Sequence, residues 1–120
     1  MRRTATILFH ARQQTHFWHL TTASYAEHKA LGEFYEGILG LTDKLLETYQ
    51  GKNARIDFGD IRMTFRKYTK DASLAYLKKL AKYLSKGART GLKEKDADLN
   101  NILDEILELT NSTLYLLSLS

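Results

Sequence analysis

The chain has no proline in 120 residues. Proline removes a backbone donor and breaks a helix interior, so its absence leaves long uninterrupted helices open everywhere. The periodicity takes up that option. Ile7, Phe9, Phe17 and Leu20 recur at helical spacing and predict a first helix from Thr4 to Thr21. "TTAS" is a break, and Ser24 with Glu27 three residues on has capping-box spacing. A second helix therefore starts there and ends near Gly51.

Residues 51–71, "GKNARIDFGDIRMTFRKYTKD", hold no sustained period and read as a long connection, with a short helix or extended piece around Ile61–Phe65. In "ASLAYLKKLAKYLSKGA", Leu74, Leu77, Leu80, Ala81 and Leu84 form the inner face of a third helix. A fourth follows Asp96 or Asp98, with Leu99, Ile102, Leu103, Ile106, Leu109, Thr113, Leu116 and Leu117 inward. The expected architecture is all-α: residues 1–120 as one four-helix bundle, with a long link between the second and third helices.

Composition narrows the function classes. Without cysteine there are no disulfides and no thiolate metal sites. No stretch approaches the roughly 20 apolar residues of a membrane span, and the N-terminal apolar run is too short for a signal peptide. A cytoplasmic chain with no membrane partner is expected. The net charge of +4 hides a polarity along the chain. Residues 62–95 carry eleven Lys and Arg against Asp71 and Glu94, and residues 96–120 carry five acids and no base. The run from Lys78 to Arg89 is either a non-specific DNA-binding face or a solvated face balanced by the acidic helix.

Three of four histidines lie in "HFWHLTTASYAEH", residues 16–28, and two carboxylates follow at Asp43 and Glu47. On the second helix, Leu31, Phe34, Tyr35, Ile38, Leu41 and Leu45 share the core face. A second face holds Gly32, Glu36, Leu39, Gly40, Asp43 and Glu47, with His28 at its edge. Gly32, Gly37 and Gly40 each cost roughly 1 kcal/mol in a helix interior, which points to a close approach of two helix backbones. His28 and Asp43 are about 22 Å apart along one helix, so one ion cannot touch both. A two-fold axis near Glu36 and Gly37 solves this. It lays a second copy antiparallel and sets His28 opposite Asp43 and Glu47 of the other chain. Imidazoles with carboxylates suit non-haem iron, manganese or zinc.

The intervals His16 to His28, His28 to Asp43 and Asp43 to Glu47, with "FW" after His16, resemble the ferroxidase signature of the Dps miniferritins. The resemblance implies a ferritin-like bundle in which His16 and His28 bind Fe²⁺ together with Asp43 and Glu47 of the two-fold mate. It also implies a homo-oligomer up to a dodecameric shell, oxidation of Fe²⁺ by peroxide or oxygen, storage of Fe³⁺ and protection of DNA. Where that family usually has a further Asp, four residues after the second His, this chain has Gly32. Glu36, one turn on, is the nearest replacement on that face. The segment is also similar to small ferritin-like proteins of tailed bacteriophages, which places the chain in a bacterial or phage-infected cytoplasm. The alternative from that likeness is a non-catalytic phage structural or accessory protein with a degenerate site.

The other candidates read more plainly. His19 is off the pattern and is expected to be a polar or supporting residue, and His10 lies two turns before His16. Trp18, Tyr25, Tyr35 and Tyr49 are expected mainly as core aromatics.

Overall fold

The elements form for local reasons that the sequence displays. In the computed structural model, which describes residues 1–120, α1 spans Arg2–Thr21, α2 Tyr25–Lys52, α3 Lys70–Ser85 and α4 Ala97–Ser118, with no strand. Ser24 caps α2 by accepting the Glu27 backbone N–H at 3.3 Å, and Thr69 caps α3 by accepting that of Ala72 at 3.0 Å. Two single 3₁₀ turns, Gly87–Arg89 and Glu94–Asp96, carry the chain from α3 into α4.

Helix α2 is the centre of the assembly. It packs on α1 and on α4, and α4 packs on α3, whereas α1 and α3 do not pack closely. Leu31, Phe34, Ile38 and Leu45 of α2 are fully buried, as are Leu77 and Leu84 of α3 and Leu99, Leu103 and Ile106 of α4. No helix is long and apolar enough to cross a membrane.

Helix α1 departs from the expected stripe. Its buried face is Thr4, Ala5, Leu8, Ala11, Gln14, Thr15 and Trp18, while Phe17 and Leu20 are exposed. Small residues on this face let α2 lie close. The larger apolar residues serve the link: Phe9 meets Phe58 at 5.9 Å, and Phe17 meets Phe65 edge-on at 5.2 Å. The link therefore has no helix or strand from residue 54 to 69 and is held by side chains instead.

Four residues of α1 hold the link's backbone, and Arg2 does so by donating Nε–H to the Phe58 carbonyl at 2.9 Å. The amide of Gln14 accepts the Arg66 N–H at 2.7 Å and donates to the Arg66 carbonyl at 3.2 Å. Trp18 donates its indole N–H to that same carbonyl at 2.9 Å. His10 Nε2 lies 2.8 Å from the Thr64 carbonyl, so Nε2 carries the proton. Its Nδ1 then accepts from the Tyr76 hydroxyl at 2.7 Å, and burial pushes that hydroxyl's pKa well up. Link, α1 and α3 are joined through this one ring.

At the far end, Lys52 closes α2 onto the start of α4. It donates to the Lys95 carbonyl at 2.8 Å, to Asp96 at 3.0 Å and to Asp98 at 2.8 Å. The Lys93 backbone N–H and then Lys52 hold the Asp96 carboxyl below its usual range. Asp96 stands at the N-cap of α4, yet its side chain serves Lys52 and Lys93 rather than the helix's own first turn.

Candidate metal site at the corner of α1 and α2

The turn Thr22–Ser24 brings the end of α1 back along the start of α2, and the histidines meet there. The rings of His19 and His28 stack at 3.7 Å, 18° from parallel. Each ring bonds the other's backbone: His19 Nδ1 lies 2.5 Å from the His28 carbonyl, and His28 Nδ1 lies 2.7 Å from the His19 carbonyl. A carbonyl only accepts, so both rings carry the proton on Nδ1. Nε2 on each ring is then the nitrogen left for another partner.

His16 lies one turn earlier. It stacks on Tyr35 of α2 at 4.1 Å, its ring centre is 6.2 Å from that of His19, and it makes no side-chain hydrogen bond in the chain. All three histidines are half-buried. His19, set aside by its spacing, thus touches His28 directly. A metal ion sits in the plane of an imidazole, about 2 Å from its nitrogen, so two stacked rings cannot share one ion. His28 and His19 as placed serve different partners.

Gly32 explains why His19 lies there. A Cβ at this position would come within 2.8 Å of His19 Cε1 and 2.9 Å of Nδ1. The side-chain volume missing at position 32 is filled by the imidazole of position 19. Gly37 is likewise filled from within the chain: a Cβ there would meet Leu109 of α4 at 3.0 Å. The close approach of helix backbones expected at the glycines is, at these two, contact of α2 with a side chain of α1 and one of α4. At Gly40 nothing lies within 4 Å, and the backbone is open.

Glu36, Asp43 and Glu47 are exposed on α2 together with Leu39 and Gly40, and none of these carboxylates is in an ion pair. Within one chain they do not join the histidines. No three His, Asp or Glu side chains are close enough together to hold a metal ion.

Beside His28 lies Glu27, whose spacing to Ser24 predicts a capping box and whose side chain does something else. Glu27 is buried at 7% exposure and accepts from the Thr22 hydroxyl at 2.8 Å, from the Tyr68 hydroxyl, and from Ser120 at 3.5 Å. Burial pushes its carboxyl up. The hydroxyl donors Tyr68 and Thr22, with the Lys70 charge, outweigh burial and hold it below the usual range. Its side chain does not return to Ser24, as a capping box requires; Thr22 Oγ1 accepts the Ser24 N–H instead. Glu27 joins the link and the C-terminus to the corner and is structural.

The basic run is only partly free. Lys78, Lys79, Lys82 and Lys86 are exposed. Arg89, expected to end the DNA-binding face, is instead spent inside the fold: its guanidinium bonds the Leu84 carbonyl at 2.9 Å, Asn100, and Asp104 at 2.6 Å.

No curated protein and no solved structure matches the chain. A family model described as "Family of unknown function (DUF5856)" matches residues 19–117, which takes in His19, His28, Asp43 and Glu47 and leaves His16 just outside. The chain belongs to that family.

Proposed function

We propose that the protein is a ferritin-like, Dps-type miniferritin that oxidises and stores iron at sites shared between two copies. The observation that carries this reading is the fixed ring of His28. Its Nδ1–H is donated to a backbone carbonyl, which fixes the tautomer and leaves Nε2 for a metal, as metal-binding histidines do. His16, with both nitrogens unengaged, supplies the second imidazole. Asp43 and Glu47, one turn apart and free of other partners, supply carboxylates from the partner, and Glu36 lies on the same open face. Fe²⁺ is the substrate: two ions each give one electron to a peroxide, which takes up two protons and leaves as two waters. Manganese or zinc suits the same donors. A closed shell of twelve and a DNA partner through Lys78–Lys86 belong to this reading, in the cytoplasm of a bacterium or of a phage-infected cell.

One observation favours a second reading, a non-catalytic phage structural or accessory helical protein. The His19 ring fills the space above Gly32, where a carboxylate would otherwise extend the ligand set. One experiment separates the two. Fe²⁺ is loaded anaerobically, peroxide is added, and ferric absorbance is followed for wild type and for H28A/D43A. The miniferritin reading expects a fast ferric signal in wild type and loss of at least about tenfold in rate in the double variant. Equal rates remove the site, and a strictly monomeric mass removes the shared geometry.

A further inference from the structure

A cleft of about 670 Å³ lies between α1 and α3. It exists because these two helices do not pack closely and the link closes only part of the gap. On the α3 side Ala72 and Ala75 leave room, where larger residues would fill it. Tyr76 and Tyr83 supply aromatic surface over the buried Trp18, and the volume falls within the range of small-molecule sites.

The chemistry of the lining selects the ligand. Every aromatic or amide polar group in the cleft already has its partner. His10 uses both nitrogens, Gln14 and Trp18 hold the Arg66 backbone, and Tyr83 shares a hydrogen bond with Thr4 at 2.7 Å. The unspent donors with charge are Arg3, Arg66 and Lys79. All three are exposed, no carboxylate lines the cleft, and the chain's ion pairs use Lys44, Lys52 and Arg89 instead. Arg3 lies 5.8 Å from the centre of the Tyr83 ring, and the backbone of Arg66 is pinned at three points. Arg3 thus lies beside the aromatic wall, and Arg66 springs from a backbone held next to it, its guanidinium without a partner in the chain. A neutral apolar molecule leaves them unused, and a small inorganic anion leaves the wall unused.

We propose that this cleft binds an organic anion with an aromatic body, a phosphate or carboxylate meeting Arg3, Arg66 and Lys79 while the ring lies on the wall formed by Ala75, Tyr76 and Tyr83. The proposal is independent of the metal reading, because none of its residues is a candidate ligand there.

The test is calorimetric titration of the full chain with 2-naphthyl phosphate, 2-naphthol and inorganic phosphate. The expected result is that 2-naphthyl phosphate binds at least about tenfold tighter than either of its parts. R3Q/K79Q is expected to weaken it by at least about tenfold. A75W, at an exposed helix position, is expected to fill the cleft and abolish binding with the helical circular dichroism unchanged. No binding of the aryl phosphate, equal binding of inorganic phosphate, or indifference to A75W each overturns the proposal. So does salt-sensitive binding of duplex DNA that R3Q/K79Q weakens and the aryl phosphate does not displace, since the cations then serve a nucleic-acid face.

Discussion

His10 and His28 are both half-buried histidines of a helix that bond to a backbone carbonyl, and they have opposite uses. His10 gives Nε2–H to the Thr64 carbonyl, takes the Tyr76 hydroxyl on Nδ1 and stacks on Phe65 at 4.8 Å. Nothing on that ring is left over. His28 gives Nδ1–H to the His19 carbonyl and stacks on His19, and Nε2 has no partner in the chain. The difference teaches where to look for chemistry in a helical protein of this size. A histidine with both nitrogens spent is a joint of the fold, and one with a single nitrogen spent is held in orientation with the other nitrogen free.

The comparison predicts unequal costs. H10L removes two hydrogen bonds and strands the Tyr76 hydroxyl, so it should cost about 2–3 kcal/mol. H28L removes one bond and strands no side-chain hydroxyl, so it should cost about 1 kcal/mol. Urea unfolding read by helical circular dichroism measures both. Equal costs, or the reverse order, would mean that the corner is as closed as the link's anchor.

Glu27 sharpens the contrast from the next residue along. Its carboxylate is surrounded by hydroxyl donors, so it resembles His10 in having nothing to spare. Its folded pKa lies below the ordinary 4.5, so the charged form stabilises the fold. That contribution is present above about pH 4.5 and is lost as pH falls through the lower folded value. E27Q cannot lose it by titration. The variant should be about 1–2 kcal/mol less stable at pH 7 and should converge on wild type in acid. A constant gap from pH 7 to pH 3 in parallel urea titrations would show that the carboxylate charge is not what the hydroxyls hold.

Much of the frame was legible in the residues. Four helices, their order and the core face of α2 follow from periodicity, and Ser24 announces its helix by residue type. Helix α1 was misread because its apolar residues serve two neighbours. Phe9 and Phe17 turn to a link with no regular structure, and no period in the sequence marks a segment held by Gln14, Trp18 and His10 from fifty residues away. The same separation hid the role of Glu27, whose donors come from residues 22, 68 and 120. Gly32 was read as a missing ligand, and its neighbour in space is His19. A glycine in a helix declares that something fills its place without saying what.

Gly40 gives the smallest expected effect and bears on the open half of the comparison, the surface that would meet a partner's His28. In one chain nothing lies within 4 Å of a Cβ added there, so an alanine meets no resistance and gains helix propensity. G40A should therefore stabilise an isolated chain by roughly 0.5–1 kcal/mol. If a second α2 crosses at this face, the same methyl group enters the contact and holds the two backbones apart. The dimer should then weaken while the monomer gains. Sedimentation across a concentration series, with thermal unfolding at the lowest concentration, reads both quantities on one variant. A gain in monomer stability with unchanged association would place the two-fold contact elsewhere. It would also leave Asp43 and Glu47 without a route to the Nε2 of His28.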